Sequence, residues 1–163
     1  MGEDDDLVRE AGELLTDAGA MVAAAESCTG GLLSSMLTNV SGSSAYFERG
    51  VVSYSNQAKF DLLGVDPDVL EREGAVSAPV ARQMARGVKE SGGTAYGVST
   101  TGIAGPTGGT PEKPVGTVFI GVATEQSATA TRYEFDGSRL ERKERFARQA
   151  LADLIESVEP GGR

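Results

Sequence analysis

Three short stretches of this chain hold the side chains best suited to chemistry. The first, ESCTGG at residues 26–31, offers the hydroxyl of Ser27 and the thiol of Cys28 as nucleophiles. The second, YSNQAK, carries the phenol of Tyr54 and the amine of Lys59, groups that move protons. The third, TTGIAGPTGGTPEKP from Thr100 onward, interleaves Gly102, Gly105, Gly108 and Gly109 with Thr100, Thr101 and Thr107. Backbone N–H groups and hydroxyls in such a stretch can cradle a phosphate, although no Gly-Lys-Ser/Thr follows to make a Walker A loop. In the first stretch Gly30 and Gly31 let a ligand approach the backbone, and the helix expected after them offers free N–H groups and a positive dipole end to an anion. Each residue also has a plain structural reading. The glycines can be tight turns, Ser27 a helix cap, Cys28 a small buried filler, Lys59 a solvated helix lysine, Tyr54 a packed strand ring and Glu26 the partner of a nearby cation.

Composition narrows the chemistry further. The 163 residues include no histidine and a single cysteine, which excludes a Ser-His-Asp triad, a His or Cys zinc cluster and an internal disulfide. Catalysis is left to Lys, Tyr, Asp, Glu, Ser, Thr or Cys28. Twenty-four acidic residues against 15 basic ones give a formal charge of −9, which opposes binding to nucleic acid or anionic lipid. Lys59, Lys89, Lys113 and Lys143 are the only lysines. An acidic, lysine-poor surface suits a protein kept soluble in strong brine, and it equally suits an ordinary acidic protein. The length predicts one domain over residues 1–163, with its core at about 7–156. No apolar run reaches membrane-spanning length, and the acidic start lacks the positive charge of a signal peptide, so a cytoplasmic location is expected.

The elements that must position these residues follow from periodicity. Leu7, Val8, Ala11, Leu14, Leu15 and Ala18 recur at helical spacing, with acids ahead of the first turn and Gly19 as a stop. Residues 21–25, 51–55 and 95–99 read as strands. Residues 115–123 and 129–135 read as an antiparallel hairpin. Helices are expected at about 32–38, from Asn56 to a stop at Gly64, and from Ser77 and Pro79 to about Gly93. Ser138 and Glu141 form a capping box ahead of a last helix with Ala147, Ala150, Leu151, Leu154, Ile155 and Val158 on its apolar face. The stretch beginning at Thr100 is expected to be loop throughout, and the first acidic residues and the GGR tail are expected to fray. Strands alternating with helices predict an α/β fold, a three-layer α/β/α sandwich with a mostly parallel sheet and an antiparallel edge. In such a sheet, the strands at 21–25 and 95–99 both run into glycine-containing loops, which places ESCTGG and the Thr100 stretch around one crevice at the carboxyl edge.

AAAESCTGGLLSSM, GVVSYSNQAKFDLLGV, GAVS, STTGIAGPTGG and KPVGTVFIGVA, in that order, closely resemble the CinA C-terminal domain family over about residues 7–156. The resemblance implies nicotinamide mononucleotide amidohydrolase activity, hydrolysis of the carboxamide to nicotinate mononucleotide and ammonia in pyridine nucleotide recycling. It places the family's catalytic serine on Ser27, its tyrosine on Tyr54, its lysine on Lys59 and an active-site threonine on Thr101. Ser27 is then expected to attack the carboxamide, with Lys59 or Tyr54 as the base. Backbone amides around residues 28–30 would hold the oxyanion, and the loop from Gly102 to Gly109, with an unspecified arginine, would hold the 5′-phosphate. The expected substrate contacts are Cys28, Thr29, Gly30, Gly31, Thr101, Gly102, Gly105, Gly108 and Gly109. No cofactor and no metal are expected, because the metal-dependent N-terminal domain of longer CinA proteins has no counterpart in these residues. The expected partners are a small-molecule nucleotide and further copies of the same chain. The competing readings are a cysteine amidase using Cys28, a noncatalytic nucleotide-binding regulatory module, and a DNA-processing role that the family's name evokes and the charge opposes.

Overall fold

Five strands form one mixed sheet in the computed structural model, which describes the backbone of residues 3–158 and side chains from residue 6 onward. They are β1 (Val22–Glu26), β2 (Phe47–Val52), β3 (Tyr96–Gly102), β4 (Thr117–Ala123) and β5 (Ala128–Glu134), in the spatial order β2-β1-β3-β4-β5. β1 lies parallel to both β2 and β3, whereas β4 is antiparallel to β3 and to β5. Four strands therefore run one way, and β4 opposes them. Helices α1 (Glu3–Asp17), α2 (Leu32–Leu37) and α6 (Arg139–Val158) cover one face. Helices α3 (Asn56–Leu63), α4 (Pro67–Glu73) and α5 (Ala78–Gly92) lie on the other. This is the expected three-layer α/β/α sandwich.

Buried on both faces, β1 alternates between two cores, with Val22 and Ala24 in the α1/α2/α6 core and Ala23 and Ala25 in the α3/α4/α5 core. Small residues let the helices approach closely. A Cβ on Gly97 would lie 2.1 Å from the Ala85 carbonyl oxygen, and one on Gly121 would lie 2.3 Å from that of Ala81. α5 thus rests on the backbone of β3 and β4, and the Ser99 hydroxyl donates to Ala81 O at 2.6 Å. The capping box forms as expected. Glu141 N–H donates to Ser138 Oγ at 3.2 Å and Ser138 N–H donates to Glu141 Oε1 at 3.0 Å, which starts α6 at Arg139.

Four expectations are corrected. β2 spans Phe47–Val52 and not 51–55, because an edge strand with exposed Glu48, Arg49 and Gly50 carries almost no apolar alternation to read. α4 was not anticipated; seven residues leave little room for a periodic pattern, although Asp66 caps it and Pro67 opens it. Thr100, Thr101 and Gly102 belong to β3 and not to a loop, since pairing with β4 on one side, and with β1 at Thr100 on the other, outweighs local composition. The backbone from residue 3 lies inside α1, so the acidic start is helical from there on and not frayed. The GGR tail and the first two residues lie outside the described residues.

Candidate active site

β2, β1 and β3 end side by side at the carboxyl edge. From β1 the chain passes through α2 to β2 on one side and then returns through α3, α4 and α5 to β3 on the other, so the crevice opens where strand order reverses. In register, Glu26 faces Val52 of β2 and Thr100 of β3. One residue further, Ser53 N–H donates to Glu26 O at 2.8 Å and Ser27 N–H to Thr100 O at 3.0 Å. Ser53, Ser27 and Thr101 therefore form a row of hydroxyl residues across three strand ends.

Lys59 reaches into this row from the first turns of α3, whose start is fixed by Ser55 Oγ accepting the Ala58 N–H at 3.0 Å. Its Nζ lies 2.9 Å from Ser27 Oγ, 2.9 Å from Ser53 O and 3.2 Å from Tyr54 O. The side chain is 1% exposed and has no ion-pair partner among the described residues. Burial pushes its pKa below the usual lysine range, opposed by a weaker effect of the nearby Cys28 thiol. A neutral amine has two N–H donors and one lone pair. In that neutral form the two carbonyls would take the donors and leave the lone pair for the Ser27 hydroxyl. This is the disposition of a base on a nucleophile.

Glu26, fully buried, balances no cation among the described residues. Its carboxylate accepts from Thr29 Oγ1 at 2.6 Å, Leu33 N–H at 2.8 Å, Ser34 N–H at 2.9 Å, Ser34 Oγ at 2.7 Å and Gly31 N–H at 3.2 Å. The amino end of α2 is thus occupied by the protein's own carboxylate and is not free for an external anion, a correction to the expectation above. Gly30 N–H is also engaged, with Ser27 O at 3.2 Å. The N–H groups of Cys28 and Thr29 donate to no other backbone group among the described residues, that of Cys28 meeting only its own thiol.

A cavity of about 360 Å³ opens over Ser27, within the range of small-molecule sites. Of the expected residues it gathers Ser27, Cys28, Tyr54, Lys59, Thr101, Gly102, Gly105 and Gly108. Thr29, Gly30, Gly31 and Gly109 do not line it. Thr29 is fully buried, its hydroxyl shared between Glu26 and Thr100 Oγ1 at 2.8 Å. Gly30 and Gly31 form the turn itself, at φ of 58° and 105°. Gly109 packs on the returning chain, where a Cβ would lie 2.7 Å from Val115 N. Tyr54 stands at the rim, 65% exposed; its carbonyl, not its phenol, holds Lys59. Thr101 Oγ1 donates to Ala75 O at 2.8 Å and so fixes the wall formed by Ala75 and Val76. The Cys28 thiol is pushed up to about 12, first by burial, with its hydrogen bond to Thr100 opposing, and is therefore neutral near pH 7.

Sequence reasoning missed the cation of this cavity and its apolar wall. Arg139 lines it and donates from Nη1 to Gly105 O at 2.7 Å, while Arg142 holds the same loop through Ala104 O at 3.2 Å. The capping box gave the signal that Arg139 opens α6, but not that this end faces the crevice. Ala75, Val76, Ile103 and Ala104 supply the apolar surface. A larger cavity of about 820 Å³ lies at the opposite edge, around Asp17, Tyr96 and Glu125, with no lysine or arginine among its lining residues. Among the described residues no cluster of three or more acidic or cysteine side chains could hold a metal ion, and no helix is long and apolar enough to cross a membrane.

The sequence model of the CinA C-terminal domain matches residues 4–158. A CinA-like protein of Chlorobium limicola is 52% identical over 156 residues, covering 92% of this chain and 36% of its own length. One from Chlorobaculum tepidum is 56% identical over 147 residues, covering 87% and 35%. The chain spans about a third of the length of these curated relatives. The crystal structure of the competence/damage inducible protein CihA from Agrobacterium tumefaciens has a TM-score of 0.91 to this fold at 41% identity, with 98% of each chain covered.

Proposed function

Since the chain belongs to the CinA C-terminal domain family, we propose that it is a nicotinamide-nucleotide amidohydrolase that converts nicotinamide mononucleotide to nicotinate mononucleotide and ammonia. The observation that carries this reading is the buried Lys59 amine 2.9 Å from Ser27 Oγ, held by two carbonyls. Ser27 Oγ attacks the carboxamide carbon as its proton passes to Lys59 Nζ. The oxyanion is received by the N–H of Cys28, which lines the cavity next to Ser27, at about 3–4 kcal/mol for such a donor. Collapse breaks the C–N bond, and the proton returns from Lys59, directly or through Tyr54 at the rim, to the leaving ammonia. Water then attacks the acyl-serine with Lys59 again as base, releasing the carboxylate and restoring the Ser27 hydroxyl. Ala75, Val76, Ile103 and Ala104 offer apolar surface to the pyridine ring, and Arg139 with the backbone around Gly105 and Gly108 suits the phosphate.

The neutral thiol of Cys28 disfavours a cysteine mechanism. A noncatalytic binder would have no use for a buried lysine aimed at a serine. The test is substrate truncation. If phosphate binding positions the carboxamide, nicotinamide riboside will fall in kcat as well as affinity, and free nicotinamide further. Arg139→Ala should lower kcat/KM for the mononucleotide by about 10- to 100-fold, the worth of a charge-assisted hydrogen bond. It should leave the riboside nearly unchanged. Equal kcat/KM for riboside and mononucleotide would contradict the phosphate role.

A further inference from the structure

Among the described residues nine serines and threonines are buried: Ser27, Thr29, Ser53, Ser77, Thr94, Ser99, Thr100, Thr101 and Thr117. Eight have a hydrogen-bond partner for the side-chain hydroxyl. Ser53 is the exception; it is 0% exposed and its Oγ has no partner. An unsatisfied buried hydroxyl costs stability, and removing it is close to neutral or favourable. Ser53 occupies the row of Ser27 and Thr101, and its own carbonyl already accepts from Lys59 Nζ at 2.9 Å. The unpaired hydroxyl therefore belongs to the residue whose carbonyl holds the one amine whose hydrogen-bonding needs change during the reaction.

Those needs can be counted. At rest the amine has three neighbours: Ser53 O, Tyr54 O and Ser27 Oγ. While Ser27 Oγ is bonded to carbon in each tetrahedral intermediate, Lys59 is an ammonium with three N–H donors, and the substituted Ser27 oxygen is a poor acceptor. One donor is left over. We infer that Ser53 is a positioning residue whose hydroxyl turns about its Cα–Cβ bond to accept that third N–H, holding Lys59 in place while each tetrahedral intermediate stands, until its proton is delivered. The turn of Ser53 makes and breaks no covalent bond. The inference rests on Lys59 acting as base to Ser27. The titratable and charged groups that share the cavity with Lys59 are the Cys28 thiol from the turn after β1, Tyr54 and Arg139 at the start of α6; α4 and α5, packed against α3, form no ion pair with it among the described residues.

Ser53→Ala is the test, by pH-rate profiles and thermal melting. The pH limb of kcat/KM reports the free enzyme and that of kcat the bound states. The variant should melt at or above the wild-type temperature and lose about tenfold in kcat, the effect of one hydrogen bond to a charged group. The acid limb of kcat should move to lower pH, because the ammonium has lost an acceptor, while that of kcat/KM stays. Wild-type kcat and limbs, or a lower melting temperature with unmoved limbs, would overturn the inference. The tetrahedral state can also be mimicked without any amide substrate, by a fluorophosphonate that loses fluoride to Ser27. ¹³C-lysine NMR of that adduct is simple with only four lysines in the chain, and it should show a lower Lys59 pKa in Ser53→Ala than in wild type. Equal values there refute the role of Ser53, whereas a labelled enzyme that spares the mononucleotide refutes only the substrate.

Discussion

At the scale of single residues, the account turns on an amine that has been taken out of water. Burial lowers the pKa of Lys59, so its contribution to folding stability is least favourable at neutral pH and improves as pH rises toward the ordinary ~10.4, where the unfolded lysine also loses its proton. The same depression makes a base available, and turnover should rise with pH along a limb placed below ~10.4. Lys59→Arg should be nearly as damaging as Lys59→Ala, by about 10³-fold or more in kcat if base and positioning are lost together. Steady-state kinetics of both variants decide this, and an active Lys59→Arg enzyme would mean that only positive charge is needed. The types and spacing of Ser27 and Lys59 were legible in the sequence. Glu26 was not, because its five hydrogen bonds come from residues 29–34 folding back on it, and no pattern in one sequence distinguishes that from a charge awaiting a cation.

At the scale of elements, the crevice depends on how closely α5 lies on the sheet, since α5 and the turn before it carry the wall at Ala75 and Val76. Gly121→Ala would put a methyl 2.3 Å from Ala81 O and 2.4 Å from Ser99 Oγ. Overpacking of this kind costs about 1–3 kcal/mol, which for a chain of this length lowers the melting temperature by several degrees. An unchanged melting curve would show that α5 lifts without penalty. The strongly patterned elements were readable, namely β1, α3 with its Gly64 stop, α5 and the capped α6. The edge strand β2 and the end of β3 were not, for opposite reasons. β2 lacks a buried face to impose alternation, while Thr100–Gly102 is held as strand by its neighbours against its own composition.

At the scale of the whole molecule, a net charge of −9 surrounds a site rimmed by cations. Arg139 lines the cavity, Arg142 grips its loop and the Lys143 amine lies beside Gly30. This local reversal of sign suits an anionic small molecule more than a polyanion, which the acidic remainder repels. If the acidic surface is built for brine, the melting temperature should rise steadily in molar KCl as self-repulsion is screened; a flat or falling curve in a thermal-shift series would mark it as ordinary acidity. The central claim is that Ser27, activated by Lys59, opens the carboxamide of a nicotinamide nucleotide. Its most direct test is ammonia release from nicotinamide mononucleotide by the wild-type chain and by Ser27→Ala, with circular dichroism to show that both are folded. The wild type should release one ammonia per nicotinate mononucleotide formed, and the variant should lose at least about 10³-fold of that rate. Turnover by Ser27→Ala at the wild-type rate would contradict it.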